Sequence, residues 1–331
     1  MQALVLAGGE GTRLRPLTST IPKPVLPLAN RPFISYMIEW LAAHGFDEVV
    51  MACGFLADGV RKVLGDSDWH GTRIRYVEEP EPRGTAGAVK FAEDLLEDRF
   101  AVLNGDILTD FDISAVWRAH EEKGARATIS LIEVEDPSAY GLVIFDEGGR
   151  VTDFLEKPKS KPPGGAFVNA GAYVLERDVL DLIPSGEAVS FEREVFPRLI
   201  GEGLYACPVE GYWVDIGTPE RYLEATRYLL ERSSRSRDLV LKGEGCEVRP
   251  GAHLGPVAVL GNRCRVEEDA VLERAVLMED AVVEREAVVR DSLVGKGARI
   301  GAGSRLEQET IVGQGVSVAP GAVLAGARVE T

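Results

Sequence analysis

A chain of 331 residues with 45% hydrophobic content is long enough for two domains, each with its own core. Its formal net charge of −16 disfavours a nucleic-acid-binding surface, which needs a basic patch to displace counterions. No apolar run approaches the roughly 18 residues of a membrane span, and the N-terminus enters a strand without the basic region of a secretory signal. Cys53, Cys207, Cys246 and Cys264 lack Cys-x-x-Cys spacing and have no clustered histidines, so a cytoplasmic location is expected and a zinc site is not.

The first apolar run, residues 3–7, has strand length and leads into a loop holding Gly8, Gly9 and Gly11, then Thr12, Arg13 and Arg15. Glycines let backbone N–H groups converge on phosphate oxygens, and Arg13 and Lys23 add positive charge. The loop is neither a P-loop, which needs Gly-Lys-Ser/Thr where Gly11-Thr12-Arg13 stands, nor a dinucleotide fingerprint, whose third glycine is replaced by Leu14. Further strands are expected at 48–52, 74–78, 100–103, 128–133 and 172–175, and helices at 33–44, 85–96 and 113–123. This alternation indicates an α/β domain with a mixed, mostly parallel sheet, whose ligands bind beyond the carboxyl ends of the strands.

Two such strand ends carry aspartates: Asp106 in Asn104-Gly105-Asp106, and Asp215 in an apolar stretch running from Tyr212 to Gly217. Two carboxylates with substrate phosphates are what Mg²⁺ requires, because it completes its octahedron with substrate oxygens and water. Glu156-Lys157-Pro158 offers a lysine for a phosphate and a carboxylate for sugar hydroxyls, while Asn169 and Gly171 suit a polyol, as does Gly141.

From Ser233 the chain is polar, and no Phe, Trp or Tyr follows Tyr228. A six-residue aliphatic repeat replaces them. Val248, Leu254, Leu260, Val266 and Leu272 form one frame; Val276, Val282, Val288, Val294, Ile300, Leu306, Val312, Val318 and Leu324 form a second, offset by a four-residue step. Small residues two positions earlier and glycines just after fit a hexapeptide β-solenoid, whose turns are stable only as a stack. The expected organisation is a first domain over 1–232, a linker over 233–245 and a solenoid over 246–331.

The set Leu6-Ala7-Gly8-Gly9-x-Gly11-Thr12-Arg13-Leu14-x-Pro16-Leu17-Thr18, Pro22-Lys23-Pro24, Asn104-Gly105-Asp106, Glu156-Lys157-Pro158, Val168-Asn169-Ala170-Gly171 and Trp213-Val214-Asp215-Ile216-Gly217 resembles the sugar-1-phosphate nucleotidyltransferases in content and order. Gly84-Thr85-Ala86-Gly87, Phe167-Val168-Asn169 and Phe191-Glu192-Arg193-Glu194 look most like the branch that makes GDP-mannose, which also carries a C-terminal hexapeptide domain. The resemblance implies a Rossmann-like catalytic domain followed by a left-handed parallel β-helix. It also implies roles. Leu6, Ala7, Gly8, Gly9, Gly11, Thr12, Glu79, Gly84, Thr85, Asn104 and Asp106 would bind the nucleotide. Arg13 and Lys23 would hold its phosphates, Asp106 and Asp215 would bind Mg²⁺, and Lys157 would hold the sugar phosphate. Gly141, Glu156, Asn169 and Gly171 would contact the sugar. The reaction would be in-line attack of a sugar-1-phosphate oxygen on the α-phosphorus of a nucleoside triphosphate, with pyrophosphate leaving and no protein nucleophile.

Glu79 bears on the base. An ionised carboxylate only accepts hydrogen bonds, and guanine offers the adjacent donors N1–H and N2–H, whereas uracil and thymine offer one donor flanked by acceptors. Glu79 therefore favours GTP, and the resemblance implies mannose-1-phosphate as the sugar. A thymidylyl- or uridylyltransferase acting on glucose-1-phosphate and a non-catalytic nucleotide-sugar-binding subunit are the alternatives. The solenoid is expected to mediate self-association or regulation; its lone histidine, His253, makes acyl transfer there the lesser reading.

Overall fold

The computed structural model describes residues 1–54, 56–65, 68–135, 141–156, 166–233 and 239–330. The chain divides into two compact units, Met1–Gly9 with Ile34–Trp213, and Glu10–Phe33 with Val214–Thr331. Residues 10–33 and 214–232, placed by the sequence in the first domain, thus belong to the same unit as the repeats.

The first unit is a sheet with strand order Val151–Glu156, Gly141–Phe145, Phe167–Glu176, Arg99–Asn104, Gln2–Ala7, Glu48–Cys53, Thr72–Glu78 and Asp68–Trp69. Its middle is parallel: Gln2–Ala7 pairs with Glu48–Cys53 on one side and Arg99–Asn104 on the other, and Glu48–Cys53 pairs with Thr72–Glu78. Leu4, Val50 and Val102 on these strands are fully buried, which is why the strands read as near-continuous apolar runs. Phe167–Glu176 enters antiparallel and also pairs with Ala127–Glu133. All six expected strands form, as do helices Phe33–Ala43 and Ile113–Lys123. The helix expected over 85–96 ends early: Gly84–Phe91 is α-helical and Glu93–Leu95 is a separate 3₁₀ turn.

The second unit is built on parallel coils. Leu260 stacks on Leu277 and Leu277 on Val294, while Val266 stacks on Val283 and Val283 on Ile300. The stacked residues form one aliphatic core, with Leu272, Val289, Leu306, Val312 and Val318. This corrects part of the repeat read from sequence. The inward residues after Leu272 are Leu277, Val283 and Val289, each buried, rather than Val276, Val282 and Val288. The frame shifts by two five-residue steps, Leu272 to Leu277 and Val289 to Val294, instead of one four-residue step. The runs Val276-Leu277, Val282-Val283 and Val288-Val289 are aliphatic at both positions, so spacing alone could not choose between them. Helix Pro219–Ser233 packs on strands Val271–Leu277 and Val288–Val294. The segment 10–33 is tied to the coils by polar contacts: Asn30 Nδ2 donates to the Leu260 carbonyl at 2.7 Å, and the Thr20 hydroxyl donates to Gln314 Oε1 at 3.2 Å.

Candidate active site

Register in the first unit brings several expected residues to one end of the sheet. Ala7 lies opposite Cys53 and Cys53 opposite Glu78, so the glycine loop and the Glu79 turn leave the sheet side by side. Leu6 lies opposite Asn104, and the Gly105 amide donates to the Leu6 carbonyl at 2.9 Å, placing the Asp106 turn beside the first strand's end. Gly171 comes next: a Cβ there would stand 2.8 Å from Asn104 Nδ2, and its φ of +74° lies in the left-handed region, so only glycine allows this approach. Leu142 pairs with Val168 and Gly141 with Glu156, so Gly141, Glu156 and Asn169 continue the same edge. Lys157 lies outside the described residues.

Glu79 reaches the glycine loop. Its Oε1 is 3.3 Å from where a Cβ on Gly8 would stand, so a larger residue at position 8 would press on the carboxylate. Burial pushes the Glu79 carboxyl above its ordinary pKa, opposed by a hydrogen bond from the Arg83 amide and by the Arg83 charge. The arrangement leaves a half-buried acceptor at the mouth of the loop.

Gly84 and Thr85 face the protein. The amides of Ala86 and Gly87 donate to the Val189 carbonyl, and the Thr85 hydroxyl accepts from the Phe191 amide at 2.9 Å while donating to Glu192 Oε2 at 3.1 Å. Asn169 is held on both sides, its Oδ1 accepting from the Gly171 amide at 2.8 Å and its Nδ2 donating to the Tyr173 hydroxyl at 2.9 Å.

The second unit contains the cationic group. Gly11, at φ +61°, precedes the short turn Thr12–Leu14 that carries Arg13, and a second turn, Lys23–Val25, carries Lys23. Asp215 collects their charge: Lys23 Nζ is 3.6 Å from its Oδ1, Arg13 Nη2 3.7 Å from its Oδ2, and Arg221 Nη1 3.2 Å from its Oδ2. The Gly217 amide also donates to Asp215 Oδ1 at 2.7 Å. Three cations around one carboxylate leave a local excess of positive charge despite the acidic chain. Lys23 is buried at 7% exposure, which an ammonium tolerates because Asp215 stands beside it. A cleft of about 420 Å³ in this unit also joins Thr12, Arg13 and Arg15 to Arg328 and Glu330 of the last coil.

Arg221, Tyr173 and Glu192 were not among the residues expected here. Arg221 follows Asp215 by six positions and opens a helix, a spacing with no meaning until the turn between them is known. Tyr173 is an aromatic residue in an apolar strand and reads as core.

Carboxylate oxygens are the donors a hard divalent cation takes, and at Asp215 such a cation would displace Arg13, Lys23 or Arg221. Among the described residues no group of three His, Cys, Asp or Glu side chains could hold a metal, so one bound by Asp106 or Asp215 would take its other ligands from phosphates and water, the habit of Mg²⁺.

Comparison with known proteins agrees with this chemistry. Residues 2–232 match the family model described as nucleotidyl transferase, and residues 237–331 match the GMPPB C-terminal domain. A mannose-1-phosphate guanylyltransferase of Mycobacterium tuberculosis is 38% identical over 302 residues, covering 83% of each chain. A UTP–glucose-1-phosphate uridylyltransferase of Synechocystis is 36% identical, over 77% of this chain and 69% of that one. The crystal structure of HddC from Yersinia pseudotuberculosis complexed with GMP-PN superposes with a TM-score of 0.60 at 29% identity, covering 69% of this chain and 99% of HddC.

Proposed function

The chain belongs to the nucleotidyl transferase family, and on that premise we propose that it makes GDP-mannose and pyrophosphate from GTP and mannose-1-phosphate. The observation that carries the choice of base is Glu79, an acceptor-only carboxylate against Gly8 of the glycine loop, suited to the two adjacent donors of guanine. The mannose-1-phosphate guanylyltransferase relatives support the sugar. In this reading Gly8, Gly9 and Gly11 cradle the nucleotide, Arg13 and Lys23 hold the leaving phosphates, and Lys157 holds the sugar phosphate. Glu156, Asn169, Gly141 and Gly171 receive the sugar. Asp106 and Asp215 would hold Mg²⁺, which when bound would neutralise charge on the phosphates. No side chain is needed as nucleophile, since the sugar phosphate oxygen attacks directly and the protein supplies position and compensating charge.

Nucleotidyltransferases of this family generally use a divalent metal, and a nucleotide with a sugar phosphate fits the family's substrates. No helix among the described residues is long and apolar enough to cross a membrane, and all four cysteines are free, which supports a reducing cytoplasm as the place of work. Self-association is assigned to the solenoid, whose last coil leaves Val323 72% exposed. Val323→Glu lowering the sedimentation coefficient would support that assignment; a wild-type monomer would remove it.

The experiment that tests the whole reading is a matrix of GTP, UTP, dTTP and ATP against mannose-1-phosphate and glucose-1-phosphate, scored by pyrophosphate release. The highest kcat/KM is expected for GTP with mannose-1-phosphate. A maximum for UTP with glucose-1-phosphate would instead support the uridylyltransferase reading that the Synechocystis relative raises.

A further inference from the structure

Behind the sheet edge lies a polar network in which every hydrogen has a fixed direction. Glu192 is its end. Its Oε2 accepts from the Ser190 hydroxyl at 2.8 Å and from the Thr85 hydroxyl at 3.1 Å, and its Oε1 accepts from the Tyr173 hydroxyl at 2.9 Å. Two of these hydroxyls accept backbone amides in turn: Thr85 from Phe191 at 2.9 Å and Ser190 from Arg193 at 3.3 Å. The third, on the fully buried Tyr173, accepts from Asn169 Nδ2 at 2.9 Å and also hydrogen-bonds the Asn104 side chain. A carboxylate cannot donate, so Tyr173 must point its proton at Glu192 and its lone pairs at the carboxamides. Asn169 is thereby held from both sides, with Nδ2 on the Tyr173 hydroxyl at 2.9 Å and Oδ1 on the Gly171 amide at 2.8 Å.

We infer that Glu192 is a positioning residue for the sugar end of the site, setting through Tyr173 the orientation in which the Asn169 carboxamide meets substrate. This rests on the reading of Asn169 as a sugar contact. Glu192 touches neither substrate in that scheme; together with the Gly171 amide it fixes which edge of Asn169 donates and which accepts. Glu192→Gln adds two donors among three hydroxyl donors. If Tyr173 then turns its proton toward Asn169 it meets Nδ2–H, and turning the carboxamide over would set Nδ2 against the Gly171 amide, so the carboxamide is displaced from its present place. Tyr173→Phe cuts the link while keeping the ring in the core.

The test is a steady-state comparison of Glu192→Gln, Tyr173→Phe, Asn169→Ala and the double variant Tyr173→Phe/Asn169→Ala, with thermal midpoints measured alongside. The expected result is a KM for sugar-1-phosphate raised about tenfold in both Glu192→Gln and Tyr173→Phe, with a clearly smaller rise in the KM for the nucleotide, whose expected contacts Thr85 and Asn104 border the same network. Tyr173→Phe should cost nothing further once Asn169 is alanine, a non-additivity that general loosening of the fold would not produce. Equal losses toward both substrates, or additive losses in the double variant, would overturn the inference and leave Asn169 as a sugar contact. If Asn169→Ala itself leaves the sugar KM unchanged, the underlying reading of Asn169 falls, and this inference with it.

Discussion

Glu79 Oε1 stands 3.3 Å from the position a Cβ on Gly8 would occupy, although 70 residues of chain separate the two. The contact places an acceptor-only group at the first glycine of the loop that follows the first strand. Replacing Glu79 by Gln supplies a donor, so the ratio of kcat/KM for GTP to that for UTP or dTTP should fall at least tenfold, about 1.4 kcal/mol. Unchanged GTP selectivity in that variant would sink the base assignment.

The same carboxyl carries a pH dependence. Burial raises its pKa, so acidification neutralises Glu79 earlier than an exposed glutamate and turns an acceptor into a donor. The KM for GTP should rise as pH falls in the wild-type protein and stay flat in Glu79→Gln. Parallel profiles would assign the effect to another group.

The metal assignment makes its own demand. Asp106→Asn and Asp215→Asn should each lower pyrophosphate release more than a hundredfold, and chelation should abolish activity until Mg²⁺ is restored. Asp215→Asn should also lower the thermal midpoint, because Arg13, Lys23 and Arg221 lose the charge that compensates them. Retained turnover in either variant would remove that residue from the metal site.

The corrected repeat is open to direct measurement. Val283→Ala and Val289→Ala empty positions inside the coil and should each cost about 2 kcal/mol, whereas Val282→Ala and Val288→Ala, at half-buried positions, should cost well under half as much. Denaturant titration distinguishes the two frames; the reverse ranking would restore the one offset by four.

His120 is fully buried, its Nδ1 2.9 Å from the Thr128 hydroxyl and its Nε2 3.2 Å from Glu176. Burial lowers its pKa below the ordinary 6.5, only partly offset by Glu176. The unfolded chain therefore binds the proton more readily than the folded one, and stability should decline as pH falls through about 6.5. His120→Gln should flatten the decline; an unaltered slope would place its origin elsewhere.

Much of this protein was legible in its residues alone. The strands are continuous apolar runs and the coils a six-residue aliphatic beat, and each pattern follows from local burial with a period of its own. The family was legible too, because the glycine loop, Arg13, Lys23, Asp106 and Asp215 follow one another in a characteristic order whatever the rest of the chain does. Three things required the tertiary structure. The first is the coil frame, since Val282 and Val283 are equally apolar and only stacking on Val266 and Ile300 shows which one faces inward. The second is membership of the units: hydrophobic patterning says that 10–33 folds, and only packing says that it does so with the coils. The third is the direction of the Glu192–Tyr173–Asn169 network. Hydrogen-bond polarity depends on which groups meet in space, and residues 19 positions apart carry no sign in the sequence that one carboxylate orients the other's amide partner.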